Sequence, residues 1–188
     1  MRHQLFPIVA ASALALGALA GCTTYSSISA YIRSDKSSVC PDAVILASTS
    51  SLPGYNPSTG GDPSSVVYTI AMTNVTTKCS YDKSESTADA RTKIFVHAER
   101  PSGGREATYR VPYFVAVTTN GEIMDKKTYW MNFAFPSDAA VVDANEVVES
   151  TVVKVEKGKH SYDYHLIVGF QLTKDQLDYN NKMGRYAP

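Results

Sequence analysis

Residues 109–135 read YRVPYFVAVTTNGEIMDKKTYWMNFAF, two alternating runs about one tight turn. From Tyr109 to Thr118 the apolar side chains Tyr113, Val115 and Val117 recur at every second position, the period of a strand with one buried face. Asn120-Gly121 is the residue pair that best tolerates positive φ, so it predicts a two-residue hairpin turn. The return strand then runs from Ile123 to Phe135, with Tyr129, Met131, Phe133 and Phe135 on one side and Trp130, Asn132 and Ala134 on the other. Pro136-Ser137-Asp138 ends it.

The same period extends in both directions. Val66–Val75 places Tyr68, Ile70 and Met72 opposite Thr69 and Thr73, and Thr87–Glu99 sets Ala88, Ala90, Ile94, Val96 and Ala98 against a charged face. Ala43–Ser48 is a first short apolar run, and the Gly, Pro, Ser and Asn of Pro53–Ser65 predict a loop. Glu146–Glu156 is a Val-rich strand, Lys157-Gly158-Lys159 a turn, and Tyr162–Leu172 the returning strand of a second hairpin. At Thr173 the pattern changes. Thr173 and Gln176 form a capping-box pair ahead of Leu177, which predicts a short terminal helix stopped by Gly184.

About seven short strands with irregular connections predict an all-β fold, an antiparallel β-sandwich of immunoglobulin-like or fibronectin-like outline, with a small barrel as the alternative. The expected core is Ile45, Tyr68, Ile70, Met72, Ile94, Val96, Val115, Val117, Met131, Phe133, Val153, Leu166, Val168 and Phe170. Cys40 precedes the first strand and Cys79 follows the second, so the Cys-Trp-Cys spacing of antibody domains is missing.

The amino terminus carries a different message. Met1-Arg2-His3-Gln4 is followed by an apolar and small-residue run from Leu5 to Ala20, the basic start and apolar middle of a secretory signal. That run is short for a membrane span and is interrupted by Pro7 and Ser12. Leu19-Ala20-Gly21-Cys22 resembles the lipobox of bacterial lipoproteins. The resemblance implies cleavage after Gly21, acyl chains on Cys22, and a membrane partner reached through that anchor. One acyl chain binds reversibly, whereas the two or three of such lipoproteins hold durably. Thr23 stands where an aspartate would favour inner-membrane retention in this family, which implies outer-membrane anchoring facing the periplasm. Three segments follow: a signal peptide at 1–21, a Ser- and Thr-rich tether at 22–39, and a domain at 40–188.

The chain has 188 residues, 44% hydrophobic and 19% charged, enough for one domain with a real core. Loss of Arg2 with the signal leaves a net charge of about −1, so neither nucleic acid nor electrostatic capture of anionic lipid is expected. With Cys22 lipidated, Cys40 and Cys79 remain in an oxidising compartment, where a disulfide between them is the default; two free thiols or an intermolecular bridge are the alternatives.

Catalytic signatures are missing from this reading. No Gly-x-Ser-x-Gly elbow, His-Glu-x-x-His helix or phosphate loop occurs. His160 and His165 fall on opposite faces of a turn and strand start, and the acids Asp138, Asp143, Glu146 and Glu149 lack calcium-loop spacing, so no metal or other cofactor is expected. Tyrosine, present 12 times, suits strands and also binding patches; Tyr179 and Tyr186, near the terminal helix, are the candidate interaction residues.

Val168-Gly169-Phe170-Gln171-Leu172-Thr173, Gln176-Leu177 and Tyr179-Asn180, with Cys40-Pro41 and Cys79-Ser80-Tyr81-Asp82, resemble small envelope lipoproteins of Gram-negative bacteria. No catalytic residue comes with that resemblance. The expectation is a non-enzymatic module that engages an envelope protein through sheet edges or the terminal helix. The competing expectation is a binder of glycan, peptidoglycan or a small apolar molecule, which a concave aromatic-lined pocket would favour.

Overall fold

The computed structural model describes residues 40–56 and 65–183. The signal segment, the tether with Cys22, Gly184 and Tyr186 lie outside the described residues. Among the described residues, eight strands and one α-helix follow in order: β1 (Asp42–Ile45), β2 (Ser51–Tyr55), β3 (Val66–Asp82), β4 (Thr87–Glu99), β5 (Ala107–Thr119), β6 (Glu122–Phe135), β7 (Val141–Lys154), β8 (Tyr164–Phe170) and α1 (Lys174–Met183). They form two four-stranded sheets, β1-β8-β5-β6 and β2-β3-β4-β7. Every neighbouring pair is antiparallel except β1 and β8, which run parallel.

One buried cluster draws on both sheets, with Ile70, Ile94 and Val153 from one and Tyr113, Met131 and Phe170 from the other. Burying each such side chain contributes about 1.5–3 kcal/mol. The period-two reading placed this core well: every expected residue is buried except Ile45. Ile45 is half-buried because β1 is an edge strand with β8 as its one ladder neighbour.

The β5–β6 hairpin turns on Asn120 and Gly121, whose φ values of 53° and 81° are both positive. The α1 start also follows its sequence. Thr173 N–H donates to Gln176 Oε1 at 2.9 Å and Gln176 N–H donates to Thr173 Oγ1 at 3.3 Å, a reciprocal capping box. Gln176 Nε2 then donates to Pro53 O (3.0 Å), and the buried Asn180 donates to Ser51 O (2.8 Å). The helix thus covers the outward carbonyls of edge strand β2.

A disulfide joins Cys40, just before β1, to Cys79 in β3, with Cα atoms 5.5 Å apart. Thr77 Oγ1 donates to Pro41 O beside it. This clasp ties the start of the domain, in one sheet, to the longest strand of the other.

Four expectations are corrected. Pro53–Tyr55 is strand, not loop, because Pro53 sits on an edge strand, where its missing N–H costs no ladder bond. β2 is the strand that raises the number from seven to eight. β3 runs on to Asp82, through Thr77, Cys79 and Tyr81, half-buried residues too mixed in polarity to show an apolar face. The second hairpin does not exist: β7 pairs with β4, whereas β8 pairs with β5 and β1, so the turn at Lys157-Gly158-Lys159 carries the chain from one sheet to the other.

Candidate functional site

Pro112 shapes a concavity between the two sheets. β8 accompanies β5 from Thr119 back to Tyr113, which faces Phe170, and the last rung is Gln171 N–H donating to Pro112 O at 2.9 Å. Proline has no N–H to return that bond, so the ladder ends there and the chain leaves for α1. Ala107–Val111 continues with β6 on one side, and no described strand lies on the other.

The gap is a cleft of about 630 Å³. Its walls are Tyr109, Arg110, Val111 and Pro112 of β5 on one side and Gly54, Tyr55 and Asn56 at the end of β2 on the other. Leu52, Val67 and Tyr68 form the floor, and Gln171, Thr173 and Gln176 close the helix side. Side chains of a strand alternate between faces, so four successive lining residues mean that the backbone edge of β5 is itself the wall. Because the Pro112 carbonyl points toward β8, the same alternation points the N–H and C=O groups of Arg110 and Thr108 into this gap.

The cleft is aromatic and nearly uncharged. Tyr68 and Tyr109 have ring centroids 4.2 Å apart, and burial pushes the Tyr68 hydroxyl up to about 12, so it stays protonated at neutral pH. Tyr55 is also raised, first by burial and then by Tyr179 and Asp175. Arg110 is the one charged side chain among the described lining residues, and its guanidinium lies 4.6 Å from the Trp130 ring centroid. No described lining residue is a carboxylate.

A smaller groove of about 260 Å³ lies on the outer face of the β1-β8-β5-β6 sheet, where Phe114, Ala116, Ile167 and Leu177 meet under Lys126. Elsewhere, His97 on β4 is held by Asp143 of β7 (Nδ1 to Oδ1, 2.7 Å) and by Glu99 (Nε2 to Oε1, 3.2 Å). Among the described residues no group of three or more His, Cys, Asp or Glu side chains could hold a metal.

Of the residues singled out in the sequence, Cys40 and Cys79 are joined, and Tyr179 is half-buried on α1. Cys22 and Tyr186 lie outside the described residues. Arg110, Tyr109, Tyr68 and Tyr55 escaped the sequence reading as a group, because strand order brings them together. The one signal was a proline inside an otherwise strong strand pattern. The chain matches no family model, no curated protein and no solved structure.

Proposed function

We propose that this chain is a lipid-anchored envelope protein, held by acyl chains on Cys22 in the outer membrane and facing the periplasm. Its two sheets form a β-sandwich of immunoglobulin-like outline, and the domain acts without catalysis, as an interaction or assembly module for another envelope protein. The observation that supports this best is strand edge left open to a partner. β6 and β7 are outer strands of their sheets and expose Trp130, Val141 and Val152, while Ala107–Val111 of β5 has no described strand on its cleft side. Open edges of this kind are the usual place where a second polypeptide adds.

The anchor is tested by palmitate labelling of the wild-type chain beside Cys22→Ala. Label on the first alone, together with loss of membrane association in the second, is the expected result; an unlabelled wild type released from the envelope ends the proposal. Crosslinking in intact envelopes followed by partner recovery tests the module, and recovery of no specific protein counts against it.

The second reading is a binder of glycan, peptidoglycan or a small apolar ligand. The concave, tyrosine-lined cleft favours it. Titration of the full chain with chitotriose, followed by the fluorescence of Trp130, the single tryptophan, tests it.

A further inference from the structure

Two half-open strand edges border the cleft, and among the described residues only one of them is capped. On β2 the outward carbonyls of Ser51 and Pro53 are taken by Asn180 and Gln176 of α1. Among the described residues nothing equivalent reaches the outward N–H and C=O groups of Thr108 and Arg110 on β5. We infer that the free half-edge Ala107–Val111 of β5, exposed in the cleft, is an acceptor for an extended peptide strand of a partner protein, added in the place where β8 stops.

The chemistry of that strand follows from the walls. A residue added opposite Tyr109 or Val111 shares their inward face and meets Tyr68 and Leu52, so it is apolar. A residue opposite Arg110 shares its outward face, where Arg110 is the one charge among the described lining residues, so an acidic side chain complements it. Thr108 and Arg110 offer two donors and two acceptors, a ladder that only an extended backbone can satisfy together. The occupant is therefore an extended segment alternating apolar and acidic residues, in preference to a sugar.

Position supports a partner that is not the bilayer. The tether enters at Cys40, clasped to Cys79, while Tyr68 lies at the cleft eleven residues earlier on the same strand. At ~3.3 Å per residue the clasp and the cleft are about 36 Å apart along β3, at opposite ends of the domain.

This inference rests on the interaction-module reading and names the edge that such a module uses. The probe is the peptide acetyl-Thr-Val-Glu-Val-Glu-Val-amide, added to the full chain in detergent and followed by hydrogen exchange at residues 107–111 and by Trp130 fluorescence. The expected result is saturable binding that slows exchange at Thr108 and Arg110, amides that exchange fast in the free protein. Arg110→Pro removes one outward N–H without touching the β6 ladder, and Pro112 shows that this strand tolerates proline at the same parity. It is expected to weaken the peptide about tenfold, as is N-methylation of alternate peptide amides. Arg110→Ala keeps the N–H and is expected to lose only the preference for Glu over Gln in the peptide.

Three results overturn the site: slow exchange at Thr108 and Arg110 in the free protein, no saturable binding to a folded chain, or binding indifferent to both Arg110→Pro and peptide N-methylation. A chitotriose complex that excludes the peptide yet ignores Arg110→Pro overturns it as well. The two levels separate cleanly. Envelope crosslinks that survive Arg110→Pro keep the module and remove this edge, whereas a peptide that binds as described without any envelope crosslink keeps the edge and removes the module.

Discussion

Tyr68 packs directly on Gly54: a Cβ added to Gly54 would stand 2.2 Å from two carbons of the Tyr68 ring. The ring has little room to retreat, because Tyr109 and Phe133 lie 4.2 Å and 5.3 Å away between centroids. Gly54→Ala is expected to destabilise the domain by about 1–3 kcal/mol through overpacking. A urea midpoint equal to that of the wild type would contradict this packing.

The Cys40–Cys79 bridge closes a segment with a sequence separation of 39. In the chain-entropy account, a loop of that length confers about 4 kcal/mol by restricting the unfolded ensemble. Replacing both cysteines by serine should lower unfolding free energy by an amount of that order. A much smaller loss would mean that the unfolded chain already keeps β1 near β3.

Thr92 and Thr151 flank the bulge where β4 shifts register against β7, and both Oγ1 atoms are buried without a hydrogen-bond partner. A hydroxyl in that state costs more than a methyl of equal size. Thr92→Val is therefore expected to stabilise the fold by about 1 kcal/mol, read as a raised melting temperature. A lowered one would show that the hydroxyl is satisfied by water.

His97 gives the fold a pH dependence of definite sign. The hydrogen bond to Asp143 raises its pKa above the ordinary 6.5, burial opposes this, and the contact with Glu99 adds to the rise. A histidine whose folded value is raised contributes stability that is fully present below about pH 6.5 and is lost as pH climbs through the folded value. Unfolding free energy should accordingly fall across that interval. Asp143→Asn, which removes the largest cause, should flatten the fall, and an unchanged slope would assign it to another group.

How far the sequence revealed this molecule depended on the kind of information each part required. Alternation alone identified the inner faces of β3 as far as Met72, of β4 to β6 and of β8, because a half-buried strand must place its apolar residues at every second position. The Asn120-Gly121 turn and the Thr173–Gln176 cap were legible because their backbone chemistry is local. Partnership between strands was not. Lys157-Gly158-Lys159 looks the same whether it closes a hairpin or changes sheet; the distinction lies in the pairing of β7 with β4 and of β8 with β5 and β1. The cleft was hidden for the same reason. Tyr55, Tyr68 and Arg110 meet through pairing across long intervals of chain, and Pro112 acts by ending a ladder whose other strand lies more than fifty residues onward.

The clasp between Cys40 and Cys79 also has a mechanical side. Tension applied at residue 40 does not fall on the four-residue β1 alone; the bridge passes it to β3, a strand of 17 residues paired with β4 from Thr69 to Asp82. A leash attached at that point could be drawn taut while the body at its end kept its shape.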